Sequence, residues 1–197
     1  MIKSLQGKET RRLILETAFS VIHRNGFRAT SLSDILDRTK LTKGAFYYHF
    51  KSKRALGYAV IDELLKNIVY GTWLKPLETC EDPIECLMDQ LTTIKLDKDV
   101  IIEGCPLNNL VVEMAPIDEG FRQRLNLIYD MWITVLAGSL SRGIKKGIVR
   151  TGIDTSMTAA FIVASMAGCR SIAKNKQSVE MLKMCHQSLI LYLETLR

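Results

Sequence analysis

Apolar residues recur at helical spacing along most of the chain and mark one buried stripe per helix. The first stripe lies on a helix from about Lys8 to Arg24: Ile14, Ala18, Val21 and Ile22. Asn25-Gly26 then gives a typical helix end. Only four prolines interrupt the chain, and alternating β-branched runs are scarce. The pattern therefore predicts an all-α protein of about nine helices.

Two short helices come next. Ser31 is suited to cap the first of them, with Asp34 in the capping-box position three residues later and Leu32, Ile35 and Leu36 facing inward. These signals predict a helix that begins directly after Ser31.

The second short helix is capped by Thr42 and runs for barely two turns, from Lys43 to Phe50. Two short helices joined by a turn of three or four residues, the second one basic, form a helix-turn-helix. In such a unit the second helix enters the major groove of DNA by its N-terminal end, where free N–H groups also attract phosphate. The pattern therefore predicts a DNA-binding domain at the start of the chain.

The side chains of this second helix suit that role. Gly44 and Ala45 are small enough to let the backbone approach base edges. Tyr47, Tyr48 and His49 offer hydroxyl and imidazole donors to phosphates. Positive charge comes from three flanking lysines: Lys43, Lys51 and Lys53.

The two phenylalanines of the same helix, Phe46 and Phe50, are four residues apart and therefore lie on one face. We expect this face to pack against the other helices of the domain. The three polar-tipped rings between them cannot all be buried on that face. We therefore expect Tyr47, Tyr48 and His49 to face outward.

Longer helices follow. A helix that starts at Ser52 is expected to continue towards Trp73 with this apolar stripe: Leu56, Val60, Leu64 and Ile68. Others are expected from Pro83, from Pro106, and over 118–146, 154–174 and 178–196. The last two carry apolar residues on more than one face, which predicts a second buried surface and hence a partner chain.

Charge is divided unevenly along the chain. The net charge is +6, but residues 1–60 hold twelve Lys or Arg against four Asp or Glu, a balance of +8. The remainder holds fifteen against seventeen, a balance of −2. The basic N-terminal part is thus predicted to face a polyanion.

Several other classes of protein are disfavoured. Met1 leads into a polar segment rather than a secretory signal, and no apolar run reaches the ~18 residues of a membrane span. The five cysteines are scattered without a CxxC pair, which indicates reduced thiols in the cytoplasm. No HExxH, paired-carboxylate site or phosphate-binding glycine loop is present, so no metal, cofactor or enzymatic activity is predicted.

The stretches "ILETAFSVIHRNGFRATSLSDIL" and "LTKGAFYYHFKSKRAL" resemble the TetR family of transcriptional regulators. The resemblance covers residues 8–56. It implies an all-helical homodimer with a DNA-binding domain at 1–52 and an effector-binding and dimerisation domain at 53–197. The dimer would form through the last two helices, and the partners would be a double-stranded operator and a small-molecule effector.

By motif position, the resemblance implies that eight residues contact DNA: Ser31, Thr42, Lys43, Gly44, Tyr47, Tyr48, His49 and Lys53. The family often has Gly where Lys40 stands here. A left-handed or altered turn is therefore expected at a non-glycine residue, at a cost of roughly 1 kcal/mol.

An effector pocket is expected among the middle helices, where the phrase "GCPLNNL…EMA" also looks like one in a subset of TetR-like regulators. Its candidate residues are large apolar or amide side chains with one thiol: Trp73, Met88, Leu91, Cys105, Asn108, Asn109, Met114, Tyr129, Trp132 and Phe161. For most of them, ordinary core packing is the stronger interpretation.

Three hypotheses follow. In the first, a small, largely apolar effector releases a repressor from DNA. In the second, oxidation or alkylation of Cys105, close to the start of a helix, supplies the signal. The third is a helical enzyme or small-molecule-binding protein without a DNA function, which the charge distribution disfavours.

Overall fold

The computed structural model describes residues 2–94 and 97–197, with side chains from residue 7 onward. Throughout these residues the regular structure is helical, which confirms the all-α prediction. The helices that flank the long central run are α1 (Ile2–Asn25), α2 (Leu32–Thr39), α3 (Lys43–His49), α5 (Pro83–Thr93), α6 (Lys98–Glu103), α7 (Pro106–Met114), α8 (Glu119–Lys145), α9 (Thr155–Lys176) and α10 (Val179–Glu194).

The nine expected helices are all present, and two details differ from the prediction. The first helix begins at Ile2 rather than near Lys8, and the short helix α6 was not predicted. Asp97 caps α6 by accepting a hydrogen bond from the Val100 N–H at 2.9 Å. Ile101 anchors it against Ala173 and Leu182 of α9 and α10.

The central run, α4, alternates between two helical geometries. It is α-helical at Lys53–Ala59, Lys66–Val69 and Lys75–Thr79, and π-helical at Val60–Leu65 and Tyr70–Leu74. A π-turn closes between residues i and i+5, so each one moves the buried stripe forward by one residue.

This shift corrects the predicted stripe of α4. Beyond Val60 the chain buries Leu65 and Val69, whereas Leu64 is half-buried and Ile68 is 43% exposed. The prediction assumed an uninterrupted α-helical period, and the π-turn at Val60–Leu65 breaks that period.

The described chain forms two compact units, residues 1–68 with 109–126, and residues 69–108 with 127–197. The first unit therefore extends past the domain boundary at residue 52 that the sequence analysis predicts. Residues 109–126 pack against the rest of this unit through aromatic contacts, with the Phe27 and Phe121 ring centroids 4.6 Å apart. Gly57 makes room for both rings, since a Cβ there would lie 2.6 Å from Phe27 and 2.7 Å from Phe121.

The core of the first unit follows the helical stripes. Ile14, Ala18, Val21 and Ile22 of α1 are buried as predicted, together with Ile35 of α2. Leu56 of α4, Phe46 of α3 and Phe121 of α8 are also completely buried in this unit.

The second unit contains the last two helices and a histidine that is satisfied within the core. His186 Nδ1 lies 3.1 Å from the Leu91 carbonyl oxygen, and burial lowers the pKa of this imidazole. The histidine is thus a structural contact between α10 and α5.

Within the described residues, Thr155–Lys176 is the one helix whose length and composition would suit a membrane span. The sequence has no unbroken apolar run there, since small residues give this helix much of its apolar character. Only 33% of the qualifying stretch is buried inside the protomer. Its exposed large apolar side chains are Met157, Phe161 and Ile172.

Candidate nucleic-acid interface

Hydrogen bonds from capping side chains fix where α2 and α3 begin. Ser31 Oγ accepts the Asp34 N–H at 3.1 Å, and Asp34 Oδ2 accepts the Ser31 N–H at 2.7 Å, which completes the predicted capping box. The Ser31 N–H and the Ser31 hydroxyl, which also donates to Asp34 Oδ2 at 2.8 Å, lower the pKa of the Asp34 carboxyl group. At the start of α3, Thr42 Oγ1 accepts the Ala45 N–H at 3.2 Å.

The turn between the two helices passes through Lys40, which adopts φ 58° and ψ 26°. This left-handed conformation at a non-glycine residue is the one expected from the sequence. It ends α2 and lets Thr42 cap α3 only two residues later, so local backbone geometry sets the angle between the helices.

Burial of two phenylalanines orients α3. Phe46 is completely buried and Phe50 nearly so, with ring centroids 5.9 Å apart. Tyr47 is 54% exposed and Tyr48 83% exposed, and His49 is half-buried beneath the edge of Tyr48. The predicted division between packed and outward-facing rings is confirmed for both tyrosines, whereas contact with DNA stays a prediction.

The N-terminal end of α3 is open. Lys43 and Gly44 are exposed, and a Cβ added to Gly44 would meet only Thr42 Oγ1, at 3.8 Å. Neither a left-handed backbone nor internal packing therefore requires glycine at position 44. The contacts of Gly44 within the protein thus leave room for a side chain at this position.

Lys53 is engaged differently from the other candidate contacts. Its Nζ donates to the Arg28 carbonyl oxygen at 3.3 Å and lies 4.6 Å from the centroid of the Phe27 ring. Burial lowers the pKa of its ammonium group, with Glu113 and Asp34 acting in the opposite direction. In the free protein Lys53 thus holds the α1–α2 loop.

The candidate effector residues do not all lie in the same structural unit. In the second unit, Trp73 stacks on Trp132 with ring centroids 5.4 Å apart and planes inclined by 29°. Asn109 and Met114 belong to the first unit. Phe161 is 53% exposed and packs edge-on against Tyr192 of α10.

The remaining candidates lie in the second unit. Leu91 is buried, while Met88, Cys105 and Asn108 are half-buried. Asn108 Nδ2 donates to Ser171 Oγ at 2.8 Å. Burial, with a smaller contribution from Cys105, raises the pKa of the Tyr129 phenol to about 12.

No local sequence pattern indicates Gln90, yet it bonds to the backbone next to one of the two tryptophans, Trp73. Its Nε2 donates to the carbonyl oxygens of Thr72 and Trp73, each at 3.0 Å. Its Oε1 is buried and has no hydrogen-bond donor within residues 2–94 and 97–197. A buried acceptor of this kind costs about 1–3 kcal/mol unless a ligand or water satisfies it.

A groove of about 460 Å³ runs along the outer surface of α9 and α10. Apolar and thiol side chains dominate its lining: Phe161, Cys169, Ile172, Met184, Cys185 and Tyr192. Within the described part of the chain, no cluster of three or more His, Cys, Asp or Glu side chains is arranged to hold a metal ion.

Comparison with known families gives two matches. Residues 14–60 match bacterial regulatory proteins of the tetR family, and residues 85–189 match the tetracyclin repressor-like C-terminal domain. The second match covers more than half of the chain.

Individual relatives agree with this result. The chain is 32% identical over 184 residues to an HTH-type transcriptional regulator from the lacX 3′ region of Lactococcus lactis subsp. lactis, covering 89% of each protein. It is 26% identical over 174 residues to the HTH-type transcriptional repressor DhaR of Mycobacterium sp. strain GP1, covering 86% of each. A TetR transcriptional regulator of Chloroflexus aurantiacus has a similar crystal structure, with a TM-score of 0.85, 25% identity and 96% coverage of both chains.

We expect Gly44→Leu to abolish sequence-specific DNA binding and to leave the melting temperature nearly unchanged. A leucine fits the open space at this position, and glycine is itself unfavourable in a helix by up to ~1 kcal/mol. Gly71→Leu is the matched control, since a Cβ at Gly71 likewise has room and meets no atom within 4 Å. Loss of folding in Gly44→Leu would instead assign Gly44 to internal packing.

Lys43→Ala should weaken binding to every DNA duplex and flatten the salt dependence. The plot of log K against log salt should lose about 0.9 in slope for each phosphate contact removed. Lys145→Ala, at an exposed lysine at the end of α8, removes the same charge and should leave the slope unchanged. If Lys53→Ala lowers affinity without changing the slope, Lys53 acts through the α1–α2 loop rather than on phosphate.

Proposed function

Because the chain belongs to the TetR family of bacterial regulatory proteins, it is a DNA-binding transcriptional regulator, and we propose that α3 reads its operator. Effector-responsive repression is typical of this family. The alternatives of a thiol switch at Cys105 and of a helical enzyme are not favoured. The proposed mode of action is repression that a small molecule relieves.

The observation that carries the DNA-binding proposal is the outward face of α3. Gly44 leaves an open approach at its N-terminal end, Lys43 adds charge there, and Tyr47 and Tyr48 project beyond the buried phenylalanines. Helix N–H groups at this end are suited to phosphate. The proposed contacts are the eight residues inferred from the sequence, with Lys53 reaching DNA only if it leaves the Arg28 carbonyl.

The effector is proposed to bind beside Trp73 and Trp132. The half-buried Trp73 stacks on the buried Trp132, and Gln90 Oε1 supplies an acceptor without a donor in the described part of the chain. An aromatic molecule with one hydrogen-bond donor fits both features. The proposed effector is therefore largely apolar, as expected from the sequence, and carries in addition one hydrogen-bond donor for Gln90.

Tryptophan fluorescence offers a direct test, because the chain has only two tryptophans and both lie at the proposed site. Aromatic compounds with a donor should shift this fluorescence and release the protein from DNA taken from upstream of its own gene. Methylation of the donor should weaken binding by about tenfold, the value of one buried hydrogen bond.

In Gln90→Leu the compound and its methylated analogue should bind equally well. Compounds that release DNA without any change in fluorescence would place the effector elsewhere. Failure of the wild-type protein to select any duplex from its upstream DNA would contradict the regulatory function itself.

A homodimer is proposed to form through α9 and α10. Exposed large apolar residues on these helices include Met157, Phe161, Ile172, Met184 and Leu191. A contiguous apolar surface of this kind favours a protein interface. We propose that this interface also accounts for the apolar composition of Thr155–Lys176. We further propose that the protein acts in the cytoplasm.

Phe161→Glu should convert the dimer to a monomer at micromolar concentration, as measured by light scattering after size-exclusion chromatography. The matched control is Ile117→Glu, since Ile117 is 59% exposed but lies outside α9 and α10. A charge at Leu189 of α10 would be a poorer test of the dimer, because Leu189 is buried within the protomer. A wild-type protein that runs as a monomer would contradict the proposed homodimer, and with it the binding of two operator half-sites about 34 Å apart that a dimer of this kind predicts.

A further inference from the structure

The loop between α1 and α2 is held by a side chain that is remote in the sequence. Glu113, near the end of α7, accepts the Phe27 N–H through Oε2 at 2.8 Å and the Arg28 N–H through Oε1 at 2.7 Å. Both bonds are short and involve a charged acceptor, which places them among the stronger hydrogen bonds of a protein.

Neighbouring residues shape the loop around this carboxylate. Gly26 has a φ of +87°, and a Cβ there would lie only 3.1 Å from Glu113 Oε2 and 3.2 Å from Oε1. On the other side of the Arg28 residue, Lys53 Nζ donates to the carbonyl oxygen. Arg28 is therefore fixed at its N–H by Glu113 and at its C=O by Lys53.

This loop determines where α2 starts. Thr30 is completely buried and donates its hydroxyl to the Gly26 carbonyl oxygen at 2.7 Å. Ser31, the next residue, caps α2. A shift of the loop would therefore move the first helix of the helix-turn-helix.

We propose that Glu113 is a positioning residue whose two hydrogen bonds form a latch, and that the closed latch favours operator binding. The proposal rests on the proposed function. Asn109, a candidate effector residue, lies four residues before Glu113 and thus on the same face of α7. A change at this face of α7 would act on the latch without any residue of α3 being touched.

Contacts that do not involve Glu113 hold residues 109–126 in place, so the segment should stay folded when a substitution removes the two hydrogen bonds of Glu113. Tyr58 donates to Asp118 Oδ1 at 2.8 Å, and Arg124 Nε donates to Asp62 Oδ2 at 3.0 Å. These contacts and the Phe27–Phe121 packing do not involve Glu113. We therefore expect Glu113→Gln to fold.

The first measurement compares the operator affinity of Glu113→Gln with that of Glu9→Gln. Glu9 is exposed on α1, so its substitution changes the net charge by the same amount without touching the loop. Glu113→Gln should bind the operator at least about tenfold more weakly than this control, because hydrogen bonds to charged groups are lost. Its salt slope should be unchanged, because Glu113 contacts no phosphate.

The second measurement uses the wild-type protein and does not depend on any variant. By thermodynamic linkage, if closing the latch raises the affinity for DNA by some factor, bound DNA raises the equilibrium constant for closing the latch by the same factor. Hydrogen exchange of the Phe27 and Arg28 amides should therefore slow when operator DNA is added. In Glu113→Gln both amides should exchange faster than in wild type, whereas the amides of α1 should be unaffected.

The outcomes separate two failures. If wild type selects no operator, the proposed function is wrong. If wild type binds its operator but Glu113→Gln binds as tightly as Glu9→Gln, or if operator leaves the exchange of both amides unchanged, the latch is wrong. Should Glu113→Gln fail to fold, the exchange measurement on wild type decides alone.

Discussion

The burial of Phe46 and Phe50 sets the orientation of α3, and the proposed recognition surface depends on it. A helix of seven residues is too short to be stable by itself, so its position is determined by what it packs against. With both phenylalanines inside the first unit, the residues between and before them have to face outward. Tyr47, Tyr48 and the open glycine at position 44 are exposed for that reason.

The same unit shows how backbone polar groups are satisfied at its turns. Ser31 and Thr42 accept N–H groups at the starts of α2 and α3, and Lys40 takes the left-handed conformation that joins them. The loop after α1 has no such local acceptor for the N–H groups of Phe27 and Arg28. Glu113 provides it from another part of the chain, which ties the position of α2 to the end of α7.

The second unit contains two features that protomer packing alone does not explain. One is the exposed apolar surface of α9 and α10, and the other is the buried side-chain oxygen of Gln90, which has no hydrogen-bond donor among the described residues. Each feature carries a free-energy cost in the isolated protomer. A second copy of the chain and an aromatic effector are the occupants proposed for them.

Local sequence by itself determined nine of the helices, the caps of α2 and α3, and the division of α3 into a buried and an exposed face. These features depend on spacing within a few residues, which the sequence displays directly. Only the tertiary structure decided the contacts of Lys53, the register of α4 after its first π-turn, and the roles of Glu113 and Gln90. Glu113 is separated by 85 or more residues from the amides that it binds, and a buried oxygen without a donor is recognisable only when its surroundings are known. Helical periodicity carries no information about such distant pairings, because they arise only when separate helices pack together.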